Sequence, residues 1–227
     1  MDRRTFIKAV PAMAVLSGAV PSMAEELTPI ALPHPEVEGG KSVLAALLAR
    51  RTNREISDRR LPDQVLSNLL WAAFGVNRAS GSFGKAGRTA PSASNSQEID
   101  LYVALPEGVY LYDAAAHRLN PIVAGDLRGR SGRRAATTAP VNIFYVADLS
   151  RYDTGPNQPD RRISDPEVQK SYYYCATGLI AQNVYLFCAS QDLAAWLHNC
   201  DKENAAKELK LRPQQRVLFA QTVGYPA

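Results

Sequence analysis

Three arginines and a hydroxyl residue are concentrated in one short segment, Arg50-Arg51-Thr52-Asn53-Arg54. The segment closes a stretch whose apolar spacing predicts a helix over residues 42–51. Side chains at a helix end can converge on one anion, and the planar guanidinium group matches phosphate well. A solvated basic helix end would have the same composition. We interpret Arg50, Arg51, Thr52 and Arg54 as a candidate anion site.

A second polar cluster lies further along the chain, in the segment Pro91-Ser92-Ala93-Ser94-Asn95-Ser96-Gln97. It leads directly into a predicted strand over residues 100–105. A loop so rich in small donors and acceptors could hydrogen-bond the edge of a flat heteroaromatic ring, although an ordinary Ser/Asn turn has the same sequence.

Motifs of several common enzyme classes are missing from the sequence. Neither Gly-x-Ser-x-Gly nor His-Glu-x-x-His occurs, and His34, His117 and His198 have no ligand-like spacing. No P-loop is present, and no Gly-x-Gly-x-x-Gly follows a predicted strand. Cys175, Cys188 and Cys200 match no metal pattern, and their odd number gives a disulfide no support. We predict no metal site, no Rossmann nicotinamide site and, for the two helical cysteines, small buried side chains.

The charge balance points to no particular partner. The chain carries 26 basic and 22 acidic residues, and without its first 24 residues it carries 23 and 21. Arginines cluster at Arg128, Arg130, Arg133 and Arg134, but no aromatic platform or nucleic-acid module accompanies them. We therefore expect no nucleic-acid partner.

Residues 1–24 have the features of an export signal. The segment from Asp2 to Lys8 contains Arg3-Arg4 before Phe and an aliphatic residue, as in a twin-arginine signal. The apolar run behind it has about 12 residues, against roughly 20 needed to span a bilayer. We predict cleavage after Ala24, an exported or periplasmic protein, and no stable membrane span. Because the twin-arginine route is associated with proteins that fold first, often around a cofactor, a cofactor site is expected.

Residues 25–40 are rich in Pro and Gly and predict an extended arm, and residues 41–227 predict one domain. Periodicity predicts helices over 42–51, 62–74, 165–190 and 201–209, and strands over 100–105, 108–113, 117–122, 141–147 and 216–223. The helix over 165–190 is apolar on most faces, so we predict that it is buried in the core. The strand over 141–147 should be central and covered on both faces.

Five motifs in this order resemble the nitroreductase family of flavoproteins. They are Arg50 to Arg54, Leu69 to Ala73, Pro91 to Gln97, Ala181 to Asn183 and Gly224-Tyr225-Pro226, and the resemblance covers nearly all of the chain after residue 24. It implies an α+β nitroreductase-like fold, with a central mixed or antiparallel sheet flanked by helices and a long buried core helix. It also implies an intertwined homodimer with a flavin at the interface.

The cofactor implied by the resemblance is FMN. Arg50, Arg51, Thr52 and Arg54 would hold its phosphate, ribityl chain and pyrimidine edge. The loop residues Pro91, Ser92, Ala93 and Asn95 would come from the other subunit. His198 and Asn199 stand in the segment that normally covers flavin N5. The implied activity is a ping-pong, two-electron oxidation and reduction in which N5 takes a hydride from a small-molecule donor and passes it to an acceptor.

The sequence departs from the family pattern in two places. Asp192-Leu193-Ala194 stands where Gly-Leu-Gly is usual, and basic phosphate ligands usual after Gly-Tyr-Pro are missing, since only Ala227 follows. Phosphate binding is therefore expected to depend on the N-terminal arginines, helped by Arg212 or Arg216.

Two alternatives remain open from the sequence. The segments Gly108 to Asp113 and His117 to Leu119 further resemble dehydrogenases that oxidise azoline rings in peptides, although the Lys-Tyr pair of those enzymes is interrupted in Lys170-Ser171-Tyr172. The change at Asp192 suggests instead a non-catalytic flavin-binding protein. For an exported enzyme, NAD(P)H is not freely available, so we predict a quinol, a redox protein or a substrate-derived donor.

Overall fold

A computed structural model describes residues 27–131, 138–152 and 161–227. The predicted export signal, together with Arg133 and Arg134, lies outside these ranges. The helices and strands, in chain order, are β1 (Ile30–Ala31), α1 (Val43–Ala49), α2 (Asp63–Phe74), β2 (Val76–Arg78), β3 (Gly87–Arg88), β4 (Ile99–Ala104), β5 (Gly108–Asp113), β6 (Arg118–Ala124), β7 (Val141–Asp148), α3 (Pro166–Ser190), β8 (Ala194–His198), α4 (Lys202–Glu208) and β9 (Gln215–Gly224).

Seven strands form one sheet in the order β1-β6-β5-β4-β7-β9-β8, and every neighbouring pair is antiparallel. Strands β2 and β3 form a separate hairpin. Strand β7 lies between β4 and β9 and is buried along its whole length, as predicted. Ile143 and Tyr145 face the core that contains α2 and α3, whereas Phe144 and Val146 pack with residues of α4. The sheet is therefore covered by helices on both faces.

Helices α2 and α3 form the layer on one face of the sheet. Leu66, Leu69, Leu70 and Ala73 recur at helical spacing and bury one side of α2. Asp165 caps α3, and its side chain accepts a hydrogen bond from the Glu167 N–H at the acidic first turn. No helix in the described ranges is long and apolar enough to cross a membrane.

The prediction that α3 is buried on most faces is wrong for one face. Ala176, Ile180 and Val184 are buried, but Tyr174, Cys175 and Leu179 are exposed in the single chain. Helix α1 shows the same feature more strongly. Its apolar stripe, Val43, Leu44, Leu47 and Leu48, is 48 to 91% exposed, and only Ala46 is buried. Both helices thus present apolar surface that one chain leaves uncovered.

Four strands are absent from the sequence prediction. The predicted arm contributes β1, which pairs with β6, and Leu27 and Ile30 pack against the core. The glycine-rich segment after α2, for which no strand was predicted, contains the β2–β3 hairpin. Strand β8 occupies the edge of the sheet beside β9. The first three of these strands have two or three residues each, too few for a period to be visible in the sequence.

Candidate functional site

Tyr185 joins the arginine-rich segment to strand β8. Its hydroxyl accepts a hydrogen bond from the Leu197 N–H at 2.8 Å and lies 3.1 Å from Thr52 Oγ1. The Asn53 N–H donates to the Ala195 carbonyl at 3.0 Å, which holds the segment against the same strand. A hydroxyl that accepts one hydrogen bond can still donate its own proton. Tyr185 can therefore donate to Thr52, and the Thr52 hydroxyl is then able to donate to a ligand.

The two outer arginines of the segment lie against aromatic rings. The Arg50 guanidinium carbon is 5.6 Å from the centre of the Tyr185 ring, and that of Arg54 is 5.4 Å from the centre of the Trp196 ring. Cation–π contacts at such distances orient an arginine without consuming its hydrogen-bond donors. The predicted residues 50, 51, 52 and 54 are thus brought together at the edge of the sheet.

A polar cavity of about 240 Å³ adjoins this segment. It lies between the end of α3 and the start of α1, and its polar or charged lining residues are Lys41, Arg51, Asn53, Tyr185 and Asp192, with Pro226 at one wall. Cys188 lies at its base, where burial raises the pKa of the thiol well above its ordinary value. That thiol is therefore a neutral part of the cavity wall.

The Ser/Asn loop is held in a strained conformation by its own side chains. Ser94, Asn95 and Gln97 have positive φ angles of 50°, 49° and 54°. The Ser92 hydroxyl accepts from the Gln97 N–H at 2.9 Å, and Asn95 Oδ1 accepts from Gln97 Nε2 at 2.9 Å. The loop is consequently fixed by contacts that centre on Gln97.

Two arginines outside the loop donate hydrogen bonds to Gln97. Arg88 Nε donates to Gln97 Oε1 at 2.7 Å, and an Arg151 amino group donates to the Gln97 carbonyl at 2.7 Å. Burial lowers the pKa of Arg88, partly offset by nearby Tyr112. Residues Arg88 and Gln97 were not predicted as site residues, and the only sequence signal was the position of Gln97 at the end of the motif.

One chain does not bring the two clusters together. Pro91, Ser92 and Ala93 line an apolar cavity with residues around Cys175 of α3, whereas the arginine-rich segment contacts α3 at Tyr185. At 1.5 Å per residue, these positions on α3 are separated by about 15 Å along the helix axis. The loop and the arginines thus face different ends of the same helix.

The side chain of His198, expected in the segment that covers flavin N5, is engaged in contacts within the chain. It is buried, with Nε2 2.9 Å from Thr222 Oγ1 and Nδ1 3.0 Å from the Asn199 carbonyl. Thr222 in turn donates to Asn142 Oδ1 at 3.0 Å. The imidazole is therefore part of the packing beneath β8. Asn199 is exposed at the end of this strand and remains accessible.

Arg212 and Arg216 do not lie near the candidate anion site. Arg212 is 2.5 Å from Asp148 Oδ2, and Arg216 donates to carbonyl groups at the start of β9. The arginine-rich segment lies beside the other end of that strand, where Ile56 pairs with Pro226. At about 3.3 Å per residue, the two ends are separated by roughly 26 Å. Within one chain, these arginines therefore lie too far from the segment to bind the same phosphate.

The departure at Asp192 has a structural explanation. Asp192 has a φ angle of 55°, which lies in the left-handed region that glycine adopts without steric cost. Aspartate tolerates this region better than most residues, and here its carboxylate forms an ion pair with Lys41. Asp192 thus keeps the backbone conformation that glycine would have at this position, and its side chain adds a negative charge.

The arginine cluster elsewhere in the chain is engaged in ion pairs where it is described. Arg128 is 2.6 Å from Asp126 and donates to the Ala139 carbonyl, and Arg130 is 3.5 Å from Glu208. Within the described ranges, no group of three His, Cys, Asp or Glu residues could hold a metal ion.

Comparisons with known proteins converge on one family. The model of the nitroreductase family matches residues 47–225. A protein of Methanocaldococcus jannaschii that carries the name nitroreductase is 27% identical over 189 residues, covering 78% of this chain and 88% of its own. A crystal structure from Ralstonia eutropha, also described as a nitroreductase, is 34% identical with a TM-score of 0.78, covering 97% of this chain and 96% of that one.

A more distant likeness concerns the fold alone. A chain of the E. coli microcin synthetase McbBCD complex, solved with truncated pro-MccB17 bound, is 18% identical with a TM-score of 0.61, covering 99% of this chain and 85% of that one. The α+β fold expected from the sequence is thereby confirmed.

Proposed function

This chain belongs to the nitroreductase family, and from that premise we propose that it is an FMN-dependent, two-electron oxidoreductase. The observation that carries the proposal is the position of the Tyr185 hydroxyl. It accepts a hydrogen bond from the Leu197 N–H and is within hydrogen-bond distance of Thr52 Oγ1. It fixes two chain segments, each bearing polar groups, at one edge of the sheet. When bound there, FMN would supply a carrier that takes two electrons from a donor and passes them to an acceptor in separate half-reactions.

The donor set fits a phosphorylated, flat heteroaromatic ligand. Arg50, Arg51 and Arg54 supply positive charge and guanidinium donors, and Thr52 supplies a hydroxyl donor. Trp196 presents an aromatic ring beside Arg54, and the backbone that ends β8 is exposed at Asn199. In this proposal the arginines bind and orient the ligand, while β8 forms one wall of the site and excludes water.

We propose that the active unit is a homodimer. The stripe on α1 and one face of α3 expose large apolar side chains, which soluble proteins usually cover where they form a patch. Because the Ser/Asn loop and the arginine-rich segment lie at different ends of α3, a second copy of the chain is required to supply the loop to the arginines. Pro91, Ser92, Ala93 and Asn95 would thus serve the partner's site.

Export is part of the same proposal. The twin arginines Arg3-Arg4 support it, although they lie outside the described residues. A folded, flavin-loaded dimer would be the transported unit, with cleavage after Ala24. The electron donor would then be a quinol, a redox protein or a donor derived from the substrate.

The colour of the purified protein is the first test. The proposal expects a yellow protein whose extracted flavin is FMN, and a colourless protein that takes up no FMN would refute it. Anaerobic addition of candidate donors should bleach the flavin absorbance, and an acceptor should restore it. Bound flavin that no donor reduces would indicate a binding protein without catalysis.

Oxidation of a peptide-derived azoline ring is the second candidate. Tyr172 favours it, because this residue lies with Leu179 in an apolar cavity of about 260 Å³ against Pro91 and Ala93. Lys170, however, is paired with Glu167 on the surface. Conversion of a synthetic thiazoline peptide to the thiazole by the purified protein would favour this candidate over small-molecule reduction.

A further inference from the structure

The polar cavity beside the arginine-rich segment is closed on one side by the chain that enters α1. Gly40 has a φ angle of 71°, and a Cβ atom there would stand 2.6 Å from Gln191 Nε2. The left-handed backbone at this residue is a conformation that glycine adopts without steric cost, and it carries the chain past Gln191 at the end of α3. The crossing places Lys41 in the lining of the cavity, together with Arg51.

Lys41 contacts two residues at the end of α3. Its ammonium group donates to the Ala189 carbonyl at 3.1 Å and forms an ion pair with Asp192. An ammonium group has three donors, so one is available toward the cavity. The side chain is 35% exposed, and that of Asp192 is 83% exposed, so the pair lies at the mouth and not within the protein interior.

Arg51 is the second cation of the cavity. In contrast to Arg50 and Arg54, it has no aromatic contact among the described residues, and it is in no ion pair there. Its guanidinium group and the Lys41 ammonium therefore present two positive charges to a space of about 240 Å³ that also exposes the Asn53 side chain. A dianionic group matches this arrangement better than a neutral one.

We propose that Lys41 and Arg51 hold the phosphate monoester of the cofactor in this cavity, and that Asp192 is the counter-ion that the phosphate displaces from Lys41. This inference rests on the proposed function. It gives the phosphate a second cation from the segment before α1, whereas Arg212 and Arg216 of the same chain lie at the opposite end of β9. Binding exchanges one ion pair of Lys41 for another, and no covalent bond changes.

A purely structural role for Lys41 makes a different prediction. Its contacts with Ala189 and Asp192 also stabilise the carboxyl end of α3, where a cation is favourable. Loss of that role alone would weaken the binding of every ligand of the site to the same degree. A phosphate ligand, by contrast, distinguishes FMN from riboflavin, which has the same ring and ribityl chain without the phosphate.

The test compares the affinities of FMN and riboflavin for the full chain after its flavin has been removed. Lys41→Gln should lower the affinity for FMN about tenfold, the effect of one charge-assisted hydrogen bond, and leave the affinity for riboflavin unchanged. Asp192→Asn should raise the affinity for FMN severalfold, because it removes the charge that competes for Lys41, and should again leave the affinity for riboflavin unchanged. Lys170→Gln, which removes another exposed lysine paired with a carboxylate, is the matched control and should change neither.

Three results separate the possibilities. Equal weakening of FMN and riboflavin by Lys41→Gln would overturn the inference and leave Lys41 as a helix cap. Unchanged FMN affinity in Lys41→Gln would overturn it as well. If the unmodified chain binds neither flavin, the proposed function itself has failed, and the inference fails with it.

Discussion

The Tyr185 hydroxyl lies 3.1 Å from Thr52 Oγ1, a residue 133 positions away in the chain. The same hydroxyl accepts the Leu197 N–H from the edge strand of the sheet. One side chain of α3 therefore sets the distance between the arginine-rich segment and β8. The residue touches both walls of the proposed cofactor site, and its contribution is to position them.

Replacing Tyr185 by Phe is expected to weaken FMN binding about fivefold, because a hydrogen bond of this kind contributes about 1 kcal/mol. The affinity can be measured by quenching of flavin fluorescence. Tyr102→Phe is the control, since Tyr102 accepts a hydrogen bond from Gln215 Nε2 at 3.3 Å at the start of β9, the end of that strand away from the arginine-rich segment. The control should lower the free energy of unfolding and leave affinity intact. An equal loss of affinity in both variants would contradict the positioning role.

The combined substitution Arg50→Ala and Arg54→Ala is expected to abolish flavin retention. Both side chains reach solvent, so the helix content measured by circular dichroism should not change. Flavin absorbance per mole of purified protein gives the occupancy. The pair Arg118→Ala and Arg130→Ala, which removes two exposed ion pairs elsewhere, should retain full occupancy. Normal occupancy in the first double variant would place the cofactor elsewhere.

Charges placed on the exposed stripe of α1 are expected to dissociate the dimer. Leu44 and Leu48 are 79% and 91% exposed in the single chain, so Leu44→Glu with Leu48→Glu should not disturb its core. Light scattering after size-exclusion chromatography should then give the monomer mass, with loss of flavin. Two glutamates at Ala115 and Ala116, in the turn between β5 and β6, serve as the control. A variant that stays dimeric would exclude this stripe from the interface.

Asp148 should make stability depend on pH in the acidic range. Burial alone would raise its pKa, but hydrogen bonds from Ser150 and the charges of Arg212 and Arg151 hold the pKa below its ordinary value. A lowered carboxylate pKa stabilises the fold above the unfolded value of about 3.9, and the contribution is lost as pH falls through the folded value.

The corresponding variant is Asp148→Asn. It should lose about 2 kcal/mol of unfolding free energy at pH 7, the scale of hydrogen bonds to a charged group. In urea titrations the difference from the unmodified protein should shrink as the pH falls below about 3.9. A difference that stays constant down to pH 2 would show that the loss comes from packing and not from the charge.

Arg3→Lys with Arg4→Lys is expected to retain the protein in the cytoplasm, because the twin-arginine pathway recognises the guanidinium pair. Cell fractionation and the mass of the N-terminus report the location and the cleavage after Ala24. Replacing Lys8 by Arg provides a control that keeps the charge and the twin arginines. Unchanged export of the double variant would remove the basis for a donor other than NAD(P)H.

Long elements with regular spacing could be predicted from the sequence. The stripe of α2, the cap at Asp165 and the continuous apolar run of β7 are local signals, and the structure agrees with each of them. The position of the arginine-rich segment at the end of a helix is local as well.

Features that depend on distant contacts could not be predicted in this way. Periodicity marked Leu44 and Leu48 as a packing face, but it does not reveal whether the partner belongs to the same chain. His198 was assigned to the cofactor from its place in a motif, whereas its hydrogen bond to Thr222 is visible only in the paired strands β8 and β9. Tyr185 and Lys41 gain their proposed roles from neighbours that lie far away in sequence.

The separation of the loop and the arginines along α3 has a thermodynamic consequence. If each site takes its loop from the other chain, subunit association and cofactor binding are linked equilibria, and each must strengthen the other by the same factor. Dilution would then release FMN without any change in the residues that bind it, and added FMN would restore both occupancy and assembly. A single dissociation constant for FMN would have no meaning unless the protein concentration is stated with it.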